Sequence, residues 1–165
     1  MAAPGVSLRV LTPDEWPLFR ELRLEALREA PHAFGSTLES WLGDGDTEER
    51  WRDRLTNVPF NVVAYFEGVR AGIVSGLASD LENEAELISM WVAPFARSKG
   101  VADSLVEAVV DWARGNGIEG VSLRVMEGNA RARAFYRRQR FVDDGEAQSA
   151  PDGRPERRML RRQSR

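Results

Sequence analysis

Two cations and a glycine lie close together in the segment Arg97-Ser98-Lys99-Gly100-Val101-Ala102. The apolar and partly β-branched segment 86–92 precedes it and predicts a buried strand. An apolar stripe at helical spacing follows it, formed by Val101, Leu105, Val109 and Trp112. Free amides at a helix N-terminus attract anions, and Gly100 lets the backbone approach a phosphate. The segment therefore predicts an anion site, with an ordinary strand-to-helix turn carrying solvated charges as the alternative.

The composition narrows the chemistry that this segment can serve. Cysteine is absent, and His32 is the only histidine. These facts exclude disulfides, thiolate metal sites, histidine metal clusters and a covalent cysteine intermediate. No metal site is predicted, and a Ser-His-Asp triad would have to use His32.

Length and charge are those of an ordinary globular protein. The chain has 165 residues, of which 42% are hydrophobic and 30% charged, and its net charge is −3. We expect a single domain over residues 1–165, with 161–165 as a frayed tail. The charge gives no reason to expect a nucleic-acid or membrane partner. No apolar run approaches the ~20 residues that span a bilayer, and no signal peptide is recognised, so we expect a cytoplasmic protein.

The elements that must position the anion segment follow from periodicity and turn signals. Strands are predicted over residues 6–11, 61–66, 71–79, 86–92, 121–125, 141–142 and 157–160. Helices are predicted over residues 13–30, 47–56, 101–115 and 129–140. The strand–helix–strand unit over 86–125 gives one parallel pair in an otherwise mostly antiparallel sheet. The predicted class is α/β with a mixed sheet.

Two motifs on these elements resemble the GNAT superfamily of acetyl-CoA-dependent N-acetyltransferases. The family's cofactor signature, Gln/Arg-x-x-Gly-x-Gly/Ala, is matched by residues 97–102, and its Asn-x-x-Ala-x-x-Phe-Tyr pattern by residues 129–136. The resemblance covers nearly the whole chain and is sharpest from Glu86 to Phe141. It implies the GNAT fold, with a six- to seven-stranded mixed sheet, about four helices, and two central strands that splay to hold CoA. One departure is Arg140, which stands where the family commonly has glycine, and a left-handed arginine costs roughly 1 kcal/mol.

The resemblance also implies acetyl-CoA as the acyl donor and assigns residues to it. The turn would bind the pyrophosphate, the backbone of Met90 and Val92 would pair with the pantetheine arm, and Asn129 would reach that arm while capping its helix. The residues that it assigns to the cofactor are Met90, Trp91, Val92, Arg97, Ser98, Lys99, Gly100, Val101, Ala102, Asn129 and Tyr136. For the side chains of Arg97 and Lys99, solvent exposure is the alternative.

Two residues receive catalytic roles by the same resemblance. Tyr136 would donate a proton to the departing thiolate, since a phenol with pKa near ~10 stays protonated at neutral pH. The alternative is a packed core tyrosine. Glu86 would be the general base that deprotonates the amine, with a strand-end carboxylate in water, and water-mediated deprotonation, as the alternative.

The acceptor pocket is expected around the loop after the first helix, with Phe34 and Trp41 as substrate-binding residues. Core and loop packing is the alternative for both. Four arginines (Arg131, Arg133, Arg137 and Arg138) form a basic helix that would hold the adenosine 3′-phosphate or would simply be solvated.

The predicted function is transfer of an acetyl group from acetyl-CoA to a primary amine of a small molecule or peptide. Direct attack in a ternary complex is favoured because no cysteine is present. The alternative is a GNAT-fold acyl-CoA-binding regulatory protein without turnover. The acceptor stays open among polyamines, amino acids, aminoglycoside-like antibiotics, lysine side chains and protein N-termini. Monomer and homodimer are both compatible with the sequence.

Overall fold

A mixed eight-stranded sheet forms the centre of the computed structural model, which describes residues 2–163. The strands are β1 (Val6–Val10), β2 (Phe60–Phe66), β3 (Val69–Ala78), β4 (Glu84–Val92), β5 (Gly120–Met126), β6 (Val142–Asp143), β7 (Gln148–Ser149) and β8 (Pro155–Arg162). The helices are α1 (Trp16–Glu29), α2 (Glu48–Asn57), α3 (Val101–Gly115) and α4 (Ala130–Arg138). The sheet order is β1-β2-β3-β4-β5-β8-β6, and β7 pairs with β8. The predicted fold class is confirmed, with β7 as a short strand that was not predicted.

The sheet separates two hydrophobic cores. Val62 packs with α3 residues such as Leu105, whereas its neighbour Val63 packs with α1 and α2 residues such as Phe19 and Trp51. Successive strand residues point to opposite faces, so each inner strand supplies both cores. Helices α1 and α2 therefore cover one face, and α3 and α4 cover the other.

Strand β4 has two irregularities that shape the site. Its register with β3 shifts between the pairs Ser75–Ile88 and Ile73–Trp91, and Ser89 has φ 56°. This bulge re-aims the end of the strand. On the other side, β4 and β5 are parallel, and among the described residues their last pair is Glu86–Ser122. The two strands then separate, which is the splay that the resemblance to the GNAT superfamily implies.

The last strand extends further than predicted. Residues 161–163 were expected to fray, but β8 runs to Arg162, and Arg161 is 4% exposed. The Arg161 guanidinium donates to Glu107 Oε1 at 2.7 Å, and Gln163 N donates to Glu119 O at 2.7 Å. The frayed-tail prediction is wrong for these residues because long-range partners hold them. Residues 164 and 165 lie outside the described residues.

Arg140 adopts the left-handed conformation in which the family commonly has glycine. Its φ is 70°, and Phe141 N donates to Tyr136 O at 3.0 Å just after α4. Phe141 is thereby returned to the core, where it is 1% exposed. The turn thus forms despite the strain of a side chain at positive φ.

None of the helices between residues 2 and 163 is long and apolar enough to cross a membrane. The same residues contain no group of three or more His, Asp or Glu side chains placed to hold a metal ion.

Candidate active site

A cavity of about 450 Å³ lies where β4 and β5 separate. It is bordered by the end of β4, the turn before α3, helix α4 and the loop after α1. It brings together ten of the predicted site residues: Phe34, Met90, Trp91, Val92, Arg97, Ser98, Gly100, Ala102, Asn129 and Tyr136. Four others (Trp41, Glu86, Lys99 and Val101) are not part of its lining.

The turn before α3 offers unpaired backbone amides. Gly100 has φ 84° and Ser98 has φ 63°, so the chain reverses sharply into the helix. Residues 97–100 form a turn, but among the described residues the six consecutive amides of residues 98–103 make no hydrogen bond of good geometry. A Cβ at Gly100 would lie 2.6 Å from Ala3 Cβ, so both the conformation and the close contact require glycine. Consecutive free amides at the positive end of a helix dipole suit a phosphate group.

The side chains of the turn contribute less than its backbone. Lys99 is exposed outside the cavity, and Val101 is buried in the α3 core, so only its amide faces the turn. The Arg97 guanidinium is held by protein groups, since Nε donates to Val92 O at 3.1 Å and Nη2 pairs with Glu29 at 2.7 Å. Its side chain is still 37% exposed. The phosphate role of Arg97 and Lys99 remains a prediction.

Glu29 at the end of α1 ties the turn to β4. Its Oε2 accepts from Trp91 Nε1 at 2.8 Å as well as from Arg97. Burial favours a higher pKa for this carboxyl, but the two hydrogen bonds and the Arg97 charge outweigh it and lower the pKa. Sequence reasoning missed Glu29, because its partners lie more than sixty residues away in the chain.

Helix α4 places Asn129 and Tyr136 on the cavity. Asn129 Oδ1 accepts from Ala132 N at 3.1 Å, which confirms the predicted N-cap. Tyr136 is buried between the edges of the Phe135 and Phe141 rings, and burial raises the pKa of its phenol. Within residues 2–163, no group is hydrogen-bonded to its hydroxyl, although the residue lines the cavity. The tyrosine is thus both a core residue and an available donor.

The four arginines of α4 divide into two pairs. Arg131 and Arg138 line the cavity. Arg133 and Arg137 instead form ion pairs with Asp143, at 3.5 and 3.3 Å. Because of the helical period, Arg131 and Arg138 lie on one face of α4, and Arg133 and Arg137 lie on another. Only Arg131 and Arg138 are therefore placed to bind an anion in the cavity.

Glu86 lies at the last parallel pair, where the strands begin to separate. Its neighbours Ala85 and Leu87 pack into the α3 core, so alternation directs the half-buried Glu86 side chain to the opposite face. Tyr136 packs in the α3 core. The two residues therefore approach the split from opposite sides of the sheet.

The two predicted acceptor residues have different environments. Phe34 is buried and lines the cavity. Trp41 stacks on Trp51 with ring centroids 4.3 Å apart, and the Arg50 guanidinium lies 3.8 Å from its ring. These contacts make Trp41 part of the packing between the loop and α2, and its substrate role remains a prediction.

An open groove of about 690 Å³ adjoins the cavity and shares Ala30, Ala33 and Asn129 with it. Arg154 forms part of its wall and donates to His32 O at 2.9 Å and to Phe34 O at 3.1 Å. The end of the chain thus holds the loop that follows α1.

Two arginines on the α1–α2 face, Arg23 buried and Arg54 partly buried, were not assigned a role from the sequence. Arg23 is 6% exposed and lies over the Phe34 ring, 4.6 Å from its centroid. Arg54 donates to Ser89 Oγ at 3.1 Å, at the bulge of β4. The available signal was an arginine on the inner face of each predicted helix, where apolar residues are usual.

Solved structures with this fold come from several organisms. PaiA N-acetyltransferase from Thermoplasma acidophilum, in complex with coenzyme A, has a TM-score of 0.74 at 16% identity, covering 96% of this chain and 99% of that one. Ribosomal-protein-alanine N-acetyltransferase from Brucella melitensis has a TM-score of 0.70 at 24% identity, covering 95% and 99%. An acetyl transferase from Salmonella typhimurium that modifies the N-terminal serine of ribosomal protein L7/L12 has a TM-score of 0.76 at 14% identity, covering 98% and 97%. At these identities the likeness shows the fold.

The comparison of sequences gives the family. No curated protein sequence matches the chain significantly. The model of the acetyltransferase (GNAT) family matches residues 16–141, which are most of the chain and contain both the turn before α3 and helix α4. The chain therefore belongs to the GNAT family and is an acetyltransferase that uses acetyl-CoA.

Proposed function

We propose that this protein transfers an acetyl group from acetyl-CoA to a primary amine of a small molecule or peptide, by direct attack in a ternary complex. One observation carries the proposal. The open edge of β4, the free amides of residues 98–103 and the Tyr136 side chain all border the same cavity. A thioester cofactor with a pyrophosphate and an amide-bearing arm needs these three features together.

The residues present fit the cofactor at each of its parts. The amides of residues 98–103 would hold the pyrophosphate, and Arg131 and Arg138 would add positive charge beside it. The unpaired edge of β4 at Met90 and Val92 would bond the pantetheine amides as an added strand does. When bound, acetyl-CoA supplies a thioester that is activated toward an amine.

Tyr136 would supply the proton at the sulfur. Its raised pKa keeps the phenol protonated throughout the neutral range, so its O–H can donate to the thiolate as charge develops. The absence of hydrogen bonds from described residues leaves that O–H available.

Glu86 would act on the amine from the other face. Its position at the start of the split puts it on the side of the sheet that α1, α2 and their loop cover. The adjoining groove runs from the loop after α1 to Asn129, which also lines the cavity. The amine could therefore enter by this groove while the cofactor occupies the cavity. A base and an acid on opposite faces would serve the two proton transfers of one displacement.

The experiment is a thiol-release assay with acetyl-CoA over a panel of amines, paired with acetyl-CoA binding by calorimetry. We expect CoA release that depends on the amine and product acetylated at nitrogen. Tight acetyl-CoA binding with no release for any amine would instead support the regulatory protein without turnover.

A further inference from the structure

We propose that Arg23 and Arg54 bind a carboxylate of the acceptor, so that the acceptor is an amine that also carries a carboxylate, as an α-amino acid does. This inference rests on the proposed function, because an acceptor exists only if the acetyl group is transferred. It selects one class among the acceptors that the sequence leaves open.

Arg23 is a buried cation without a countercharge. It is 6% exposed, and within the described residues its guanidinium has no ion pair and no hydrogen bond, with Nη1 fully buried. The contact that it does make is with the face of Phe34. Burial lowers the pKa of Arg23 to about 10, which still leaves the group charged at neutral pH.

Arg54 lies close enough for the two charges to interact. Its guanidinium donates to neutral oxygens, namely Asn61 Oδ1 at 3.0 Å, Ser75 Oγ at 3.2 Å and Ser89 Oγ at 3.1 Å. Burial, followed by the charge of Arg23, lowers the pKa of Arg54 to about 10. Arg23 is buried and Arg54 is partly buried, and no carboxylate of the described residues forms an ion pair with either of them.

The same protein shows how it treats a buried arginine that only supports the fold. Arg161 is 4% exposed, and its guanidinium pairs with Glu107 at 2.7 Å. A buried charge is normally compensated in this way, because an unpaired one is costly. The missing countercharge at Arg23 and Arg54 therefore points to an anion from outside the chain.

The position of the pair specifies which anion. Ser89, which accepts from Arg54, directly precedes Met90 on the cavity, and Phe34 separates Arg23 from the same cavity. The guanidiniums of Arg23 and Arg54 lie over Phe34 and Phe19, in the core on the α1–α2 face of the sheet. This is the face toward which Glu86 is directed, so the arginines are on the side proposed for the acceptor. A planar guanidinium matches a carboxylate with two parallel hydrogen bonds, whereas two positive charges repel a polyamine.

Access to Arg23 requires a small movement of Phe34. The ring covers the guanidinium and also lines the cavity, so rotation of this side chain opens the charge to the acceptor. Phe34 belongs to the loop between α1 and α2, outside regular secondary structure. The carboxylate then replaces the ring as the partner of the cation.

The test compares kcat/KM for α-amino acids, their α-carboxamides and spermidine in the wild type, Arg23→Met, Arg54→Met and the control Arg52→Met. Arg52 is on the same helix as Arg54 but pairs with Asp14 and Glu48 at the surface. We expect the wild type to prefer the α-amino acids over their carboxamides by about tenfold or more. Arg23→Met and Arg54→Met should each lose that preference, mainly because KM for the α-amino acids rises. The carboxamide rates and the Arg52→Met preference should stay within about twofold of the wild type.

Equal rates for acids and carboxamides, or a preference that survives both Arg23→Met and Arg54→Met, would overturn this inference and leave acetyl transfer standing. If no amine is acetylated, the proposed function itself has failed, and binding decides the inference. Amino acids at about 10 mM should then raise the Tm of the wild type but not of Arg23→Met, and no shift in either would reject the carboxylate site. Arg23→Lys, which keeps the charge without the planar fork, should restore part of the preference.

Discussion

At the scale of single residues, Tyr136 joins two properties that usually conflict. Its ring packs between Phe135 and Phe141 in the core, yet its residue borders the cavity. Packing fixes the direction of the hydroxyl, and burial raises the pKa so that the proton is retained. A donor fixed in this way needs no reorganisation when the thiolate forms.

Tyr136→Phe removes that hydroxyl and keeps the ring contacts. We expect kcat to fall by about 100-fold, since positioned general acids contribute factors of this order, while the Kd of acetyl-CoA stays within about twofold. Rapid-quench measurement of the acetylated amine and calorimetry of acetyl-CoA binding give the two numbers. A variant with the wild-type rate would show that the phenol has no part in the chemistry.

Glu86→Gln tests the base. If Glu86 accepts the amine proton, the variant loses most of its kcat, together with any acidic limb of the wild-type pH–rate profile that arises from this proton transfer. The control is Glu82→Gln, a carboxylate in the exposed loop before β4. An acidic limb that persists unchanged in Glu86→Gln would exclude the role and favour deprotonation through water.

At the scale of elements, the turn before α3 is the part of the site whose backbone conformation most restricts the residue types that can form it. Its residue types could be predicted to bind an anion, because glycine and a helix start are visible in sequence. The close approach of Ala3 leaves no room for a side chain at Gly100, and the Arg97 guanidinium pairs with Glu29 of α1. Contacts of that kind join distant parts of the chain, so no local pattern contains them.

Gly100→Ala places a Cβ at positive φ and against Ala3. We expect a loss of roughly 1 kcal/mol in the free energy of unfolding and about a tenfold higher Kd for acetyl-CoA, because the amides of the turn move. Gly115→Ala in the same helix has open space at its Cβ, so it should leave the Kd unchanged and keep or raise the free energy of unfolding, by up to about 1 kcal/mol. Similar behaviour of the two variants in urea unfolding and calorimetry would refute the role of the turn.

Asp46 lies in the loop between α1 and α2 and connects this loop to both helices. Its carboxylate accepts from Arg20 Nε at 2.7 Å and from Trp51 Nε1 at 2.8 Å, and these bonds lower its pKa to about 2. Because the folded-state pKa lies below the ordinary 3.8, the stabilisation is complete above about pH 4 and is lost as the pH falls toward 2. Asp46→Asn should cost about 1–2 kcal/mol at pH 7, with little further effect at pH 2. Urea unfolding at the two pH values measures the difference, and an equal cost at both would contradict it.

Most elements could be predicted because their apolar residues repeat with the period of a strand or a helix. The pattern fails where an element is too short or is held by distant partners. Strand β7 has two residues, and the last turn of β8 is rich in arginine, so its sequence resembles a solvated tail. Its antiparallel pairing with β5, together with the ion pair of Arg161 with Glu107 on α3, keeps the chain in the sheet.

At the scale of the whole molecule, the donor and acceptor halves of the site are built differently. The donor half comes mainly from residues 90–103 and 129–138, two compact segments that carry recognisable motifs. The acceptor half that we propose combines positions 23, 34, 54 and 154, which come together only in the folded protein. That is why the cofactor could be predicted from the sequence and the acceptor could not.

A buried arginine without a countercharge should lower the free energy of unfolding, and substitution of Arg23 measures this cost. Arg23→Met removes a buried unpaired charge, so we expect unchanged stability or a gain of up to about 1 kcal/mol. Arg161→Met leaves Glu107 without its ion-pair partner and should lower the free energy of unfolding. We expect a loss of only about 1–2 kcal/mol, because the Glu107 carboxylate is partly exposed. Urea unfolding with equal m values gives the comparison, and equal losses in the two variants would mean that Arg23 supports the fold as Arg161 does.

The hydrogen bonds that Arg154 donates to the carbonyls of His32 and Phe34 matter for any attempt to engineer this protein. The loop after α1, where we propose that the acceptor binds, is held by hydrogen bonds from the turn between β7 and β8, more than a hundred residues later in the chain. A chimera that imports residues 30–47 from another acetyltransferase must therefore import the hairpin around residues 148–155 as well. We therefore expect an exchange of acceptor specificity to succeed only when both segments are exchanged together.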